Sequence, residues 1–205
     1  PQETHYYEVY NRPNVELISM LETPIERITQ AGIRTSGADY EFDIIIYATG
    51  FDAVTGSFDR IDISGSGGRK LKQAWQGGPT SFVGVMVEGF PNMFMVMGPH
   101  AALGNNPRSI EYNVEWVRDL IGHMDGQELT VAAARPEAVE EWTGFVRQKA
   151  QGLLSNEIDS WMTGVNMNVE GKQTRTLVRY SGTAPEYREW CDEVAAKGYQ
   201  ELRLR

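Results

Sequence analysis

The sequence predicts an α/β fold, and three observations predict it. Residues 42–48 and 93–97 are short apolar runs bounded by turn residues, as expected of strands covered on both faces. Each runs into small residues, Ala48-Thr49-Gly50 in the first case and Gly98-Pro99 in the second. After the second, no long charged side chain occurs through Gly104, and a helix pattern then opens. A strand ending in an open loop that feeds a helix N-terminus is where α/β sheets place ligands, because free backbone N–H groups and the helix dipole attract negative charge. The ligand site is expected here, although any buried strand before a capped helix carries the same pattern.

The elements follow in order. Residues 15–20, 25–29 and 33–36 are β-prone runs separated by Pro24, Gly32 and Gly37, which predicts an antiparallel meander. The run 42–48 then reads as a central, doubly buried strand. Its Ala-Thr-Gly end lets backbone lie close to whatever sits above the sheet edge, since Gly50 adopts conformations closed to other residues. From 53 to 88 the chain is irregular, with a strand candidate at 60–64, a glycine turn at 64–68, a helical turn at 71–75 and a strand at 81–87. The glycine run lacks the G-x-G-x-x-G spacing, and no phosphate-binding P-loop occurs. Asn106 is the expected N-cap of a helix over 107–123, with Pro107 at its start and Ile110, Val114, Val117 and Ile121 at helical spacing. Residues 129–134 read as a strand, 136–151 as a helix opened by proline and acidic residues, 155–161 as a short helical turn and 176–180 as a strand. A last helix spans 185–197, with Gly198 just past its end.

Composition narrows the classes. A chain of 205 residues, 41% hydrophobic and 23% charged, is long enough for one or two domains with real cores. A net charge of -9 argues against nucleic acid or an anionic membrane as partner, both of which need a basic surface. No apolar run approaches the roughly 20 residues that span a bilayer. The opening Pro1-Gln2-Glu3-Thr4-His5 has no Met and no signal-peptide pattern, so a cytoplasmic protein with an N-terminus outside this sequence is expected. The single Cys191 excludes an internal disulfide and a thiolate zinc cluster, and reads as a half-buried apolar-like thiol. His5, His100 and His123 show no metal-ligand spacing, so no metal site is expected. Glu111 and Glu115 read as a solvated helix face and Ser109 as a first-turn hydrogen-bonding residue. Residue chemistry alone therefore yields an incomplete α/β piece with a ligand-approach loop, and no reaction.

Five motifs in one order add the rest: D-I-I-I-Y-A-T-G-F-D-A-V-T-G at 43–56, L-K-Q-A-W at 71–75, G-F-P-N-M-F-M-V-M-G-P at 89–99, N-N-P-R-S-I-E at 105–111, and W-M-T-G-V-N at 161–166 with Gly171-Lys172 soon after. Together they resemble the carboxy-terminal part of Baeyer–Villiger monooxygenases, flavoproteins with two dinucleotide-binding, Rossmann-like domains for FAD and NADPH. The resemblance covers nearly the whole chain. It implies insertion of one oxygen atom of O2 next to a ketone carbonyl to give an ester or lactone, through a peroxyflavin, with NADPH as reductant.

By the same resemblance, residues 1–48 finish the NADPH domain and 49–205 form the carboxy-terminal half of the FAD domain. Thr49 and Gly50 lie at the return crossing, and Asn105 and Asn106 lie against the flavin. Ala101, Ala102, Leu103 and Gly104 line the ketone pocket, and Trp161 closes onto the nicotinamide cofactor. The link 167–172 is longer than the family's usual one. The glycine fingerprints and the catalytic arginine belong upstream, so no catalytic residue is expected in this chain, and the upstream half of the enzyme is its expected partner. A flavin N- or S-oxygenating enzyme of the same fold is the alternative within enzymes, and a non-catalytic fragment that binds a partner protein is the alternative outside them.

Overall fold

The computed structural model describes residues 4–205, which fall into two compact units, one ending at Gly50 and one beginning at Phe51. In the first, a short helix α1 (Tyr6–Val9) precedes three antiparallel strands, β1 (Ile25–Ile28), β2 (Gly32–Thr35) and β3 (Asp39–Glu41), in the order β1-β2-β3. The turns are closed by threonines: Thr29 Oγ1 accepts from the Gly32 N–H, and Thr35 Oγ1 accepts from Gly37 and Ala38. Arg34 and Asp39 form a two-pronged ion pair across β2 and β3, at 2.5 and 2.7 Å.

Two expected strands are absent from this unit. Residues 15–20 form no ladder: β1 pairs only with β2, and its outer edge is left unpaired among the described residues. The run 42–48 is neither a strand nor buried. Phe42 donates to Ala31, after which the chain leaves the sheet, and Ile44 and Ile46 are 78% and 83% exposed. Its apolar character records the cover such a strand would need, and a strand also needs neighbours to bond with. None of the described residues supplies them.

The second unit contains α2 (Gly56–Asp59), α3 (Leu71–Ala74), α4 (Asn106–Asp125), β4 (Ala132–Ala134), α5 (Pro136–Ala150), α6 (Ala184–Ala196) and β5 (Leu202–Leu204). β4 and β5 pair antiparallel, with Ala132 opposite Leu204. The core gathers Trp116 and Leu120 of α4, Trp142 and Val146 of α5, Tyr187, Cys191 and Val194 of α6, and Tyr180. Around Trp142, the rings of Tyr180, Phe145, Tyr187 and Trp190 lie at centroid distances of 5.2–5.8 Å. Cys191 is fully buried, not half-buried, and burial pushes its thiol up to about 12.

Helix α4 turns its other face to the core. Of the stripe read from spacing, Ile110, Val114 and Ile121 are exposed and only Val117 packs against the core, partly buried, whereas Asn113, Trp116, Leu120 and Met124 are buried. Both stripes have helical period, and the bulkier aromatic one, which also carries a polar anchor, is the one packed here. The N-cap is Asn105, not Asn106: its Oδ1 accepts from the Arg108 N–H at 3.3 Å.

Residues 81–87 form a buried turn instead of a strand. Phe82 and Met86 exchange both backbone hydrogen bonds around Val83-Gly84-Val85, and Val83 and Gly84 take left-handed φ of 46° and 70°. Residues 93–97 are irregular. Asn92 and Met97 have φ of 58° and 54°, which breaks the extended geometry at both ends, and Val96 faces solvent. Residues 60–64 and 176–180 contribute single bridges, Ser64 to Lys70 and Tyr180 to Ala102.

Helix α6 opens with a capping box: Glu186 N donates to Thr183 Oγ1 and Thr183 N donates to Glu186 Oε2, while Lys149 of α5 donates to Glu186 Oε1 at 2.6 Å. The Lys149 hydrogen bond first, then those of Thr183, pull the Glu186 carboxyl down from 4.5 to about 2. A depressed carboxyl stabilises the fold above its unfolded pKa, and the effect is lost as pH falls through the folded value. Glu186→Gln is therefore expected to melt below wild type at neutral pH. The gap should close between pH 4.5 and about 2, which a series of melting curves would read directly.

Candidate functional site

The loop that feeds α4 is held by a buried polar chain. Asn113, on the core face of α4, accepts from the Met97 N–H at 3.0 Å and donates to the Tyr187 hydroxyl at 2.9 Å, which in turn donates to the Val83 carbonyl at 2.7 Å. Ser81 Oγ donates to the Pro99 carbonyl and accepts from the Gly84 N–H, and Gly98 N donates to the Gly84 carbonyl. On the other side, His100 N donates to the Val178 carbonyl and Tyr180 N to the Ala101 carbonyl. Backbone and side chain thus fix residues 97–102 from both directions before α4 begins.

His100 sits within this frame, buried and at φ 67°. Its Nε2–H donates to the Leu177 carbonyl at 2.9 Å, and burial holds its pKa below the usual imidazole value, so the ring is neutral near pH 7.

The expected site residues divide by exposure. Ala101 and Ala102 are buried, Ala101 against Gly84 and Ala102 within the main core. Leu103 is half-buried, and Gly104, Asn105 and Asn106 are exposed, with open space where a Gly104 side chain would lie. Thr49 and Gly50 are exposed in the first unit, Gly50 at φ 81°. Trp161 is 51% exposed at the start of a 3-10 turn (Trp161–Thr163) closed by Thr163, whose Oγ1 accepts from the Ser160 N–H at 3.1 Å. Thr176 N donates to the Thr163 carbonyl, so the Trp161 turn and the 100–102 loop are attached to the same stretch, 176–180.

Sequence reasoning missed a second constellation in the larger unit. A cavity of about 490 Å³ is walled by residues 52–59, 72–79 and 164–178, and Lys172 stands in it. Its Nζ is 2.7 Å from Asp52 Oδ1, 2.7 Å from Asp59 Oδ2 and 2.9 Å from Thr55 Oγ1. Burial works against the charge, but the hydrogen bonds to Asp52 and Asp59 outweigh it and raise the lysine pKa. Phe51-Asp52 and Gly171-Lys172 both lie in quoted motifs, but their pairing spans 120 positions and no local pattern reveals it. Among the described residues no group of His, Cys, Asp and Glu could hold a metal ion, and no helix is long and apolar enough to cross a membrane.

This geometry has close counterparts. The chain superposes on a closed crystal structure of cyclohexanone monooxygenase with a TM-score of 0.89 at 41% identity, covering 99% of this chain and 38% of that one. It also superposes on OTEMO in complex with FAD and NADP with a TM-score of 0.87 at 38% identity, covering 100% and 38%. The architecture is thus part of the flavoprotein fold with two dinucleotide-binding domains.

Similar proteins in sequence include 2-oxo-Delta(3)-4,5,5-trimethylcyclopentenylacetyl-CoA monooxygenase of Pseudomonas putida, 41% identical over 100% of this chain, and cyclohexanone 1,2-monooxygenase of Acinetobacter sp, 38% identical over 97%. Phenazine N-monooxygenase of Lysobacter antibioticus is 41% identical over 95%. The chain spans about 36–38% of the length of these relatives. No protein-family model matches it. Over nearly its whole length the chain is thus similar to one portion of Baeyer–Villiger-type monooxygenases.

Proposed function

We propose that this chain is the portion of an FAD- and NADPH-dependent Baeyer–Villiger monooxygenase that carries one wall of the flavin site and the tryptophan facing the nicotinamide cofactor. In this reading the whole protein converts a ketone and O2 into an ester or lactone, in the cytoplasm, once the upstream half is present. Residues 1–48 finish the NADPH domain and 49–205 belong to the FAD domain. The observation that carries the reading is the correspondence of nearly the whole chain with part of cyclohexanone and acetone monooxygenases, combined with the fixed loop and open helix N-terminus at 97–106.

The residues fit the cofactors. Gly104, with open space beside it, and the exposed Asn105 and Asn106 leave the positive end of α4 clear for an electron-rich ring system. The oxygen-transfer chemistry is that of FAD reduced by NADPH in the presence of O2. Leu103 and Gly104 form the accessible part of the ketone wall, with Ala101 and Ala102 behind them as core. Thr49 and Gly50 offer small, exposed backbone for close approach to a cofactor. Trp161 presents a half-exposed indole on a closed turn, suited to stacking.

In the full-length enzyme, Trp161→Ala is expected to raise the KM for NADPH about tenfold, the loss of about 1.4 kcal/mol of contact, with FAD content unchanged. An unchanged KM would remove Trp161 from the cofactor site. N-oxygenation, the alternative within enzymes, is not favoured beside the cyclohexanone and acetone monooxygenases among the relatives. Product analysis with a cyclic ketone and with an aromatic N-heterocycle separates the two: ester from the first, or N-oxide from the second.

A further inference from the structure

The segment that carries Trp161 is a closed unit with few attachments. Thr163 N donates to the Ser160 carbonyl, Val165 N donates to the same carbonyl, and Asn166 N donates to the Lys172 carbonyl at 2.8 Å. Lys172 N donates back to Val169, and Asn166 Oδ1 accepts from Asn168 N. Residues 160–172 therefore hold their own shape. What locates that shape is the 176–178 stretch on one side and Lys172 on the other.

Lys172 is saturated. Its ammonium has three N–H donors, and Asp52, Asp59 and Thr55 supply three acceptors. The acceptors are rigid in turn: a Cβ on Gly56 would lie 2.5 Å from the Asp52 carboxyl carbon, so the bare backbone at that position seats the carboxylate. The lysine side chain is 18% exposed and the two carboxylates 16% and 23%, dry enough for the pairing to exceed an open surface salt bridge. Without the lysine, two carboxylates would face each other across its vacated position, and residues 160–172 would lose their ion pairs to residues 52–59. Among the described residues, a further hydrogen bond to residues 51–59 is weak, an Asn166 Nδ2 contact of 3.5 Å with the Phe51 carbonyl.

We propose that Lys172 is a positioning residue: its ion triad with Asp52 and Asp59 anchors residues 160–172, and thereby sets where Trp161 meets the nicotinamide cofactor. The second half of this statement rests on the reading of Trp161 given above. Loss of the anchor loosens the segment but leaves the 97–106 loop, which Asn113 and Ser81 hold independently, in place.

The test uses the full-length enzyme with Lys172→Met and Lys172→Arg. Hydrogen exchange of residues 161–172 is expected to quicken about tenfold in Lys172→Met, and the KM for NADPH to rise by a similar factor. FAD content and ketone KM should stay at wild-type values, and Lys172→Arg, which keeps the charge, should restore both readouts most of the way. Unchanged exchange in Lys172→Met would overturn the anchor. Faster exchange with an unchanged KM for NADPH, in an enzyme where Trp161→Ala does raise that KM, would overturn the positioning role. If Trp161→Ala leaves the KM unchanged, the cofactor reading of Trp161 fails and the positioning role falls with it, while exchange still decides the anchor.

Discussion

Trp142→Ala is expected to lower stability by about 3–5 kcal/mol, the range for removing a fully buried tryptophan. The indole packs against Tyr180, Phe145, Tyr187 and Trp190, which come from α5, α6 and the stretch before α6, so no single element can close over the cavity left behind. Trp142→Phe should cost much less, since most of the ring contacts survive and the buried indole N–H has no hydrogen-bond partner to lose. The measurement is the urea midpoint of each variant. A loss below about 1 kcal/mol for Trp142→Ala would mean that this aromatic cluster is not the centre of the core.

Gly84→Ala should have a comparable effect through a different mechanism. Gly84 has φ 70°, where a side chain is strained by about 1–2 kcal/mol. A Cβ there would also collide with the side chain and backbone of Ala101. Because Gly84 binds Ser81 and Gly98, relief of the clash must displace the 98–102 loop, adding about 1–3 kcal/mol of overpacking. Gly67→Ala is the control: its φ is 67°, but open space surrounds it, so only the conformational part is lost. The difference between the two in thermal melts isolates the collision. Equal losses would show that the loop moves freely.

Much of the scaffold was legible because its signals are local. Pro136 and the acidic turn after it mark α5, Pro185 lies in the first turn of α6, and Gly198 at φ 71° ends it as expected. The candidate site was legible in part. The small-residue loop feeding a capped helix is present at 98–106, with the cap one residue earlier than expected. The Lys172 triad was not, since nothing near Lys172 in the chain announces Asp52 or Asp59.

The hydrophobic runs mark the boundary between what sequence and tertiary structure decide. Apolar patterning determines that a segment requires cover, and it does so correctly for 81–87, where Phe82, Val83, Val85, Met86 and Val87 are all buried. Whether that segment becomes a strand, a left-handed buried turn or an exposed stretch depends on hydrogen-bonding neighbours. For 82–86 the chain bonds to itself, and for 42–48 the described residues offer no partner. The face of α4 that packs was likewise decided by what lay opposite, Tyr187 and Cys191 with the 82–86 turn, and not by the helix's own period. Motif order by itself pointed to the relatives that this chain resembles. Only the three-dimensional structure decided which charges meet, because that pairing depends on distances in space that separation along the chain does not encode.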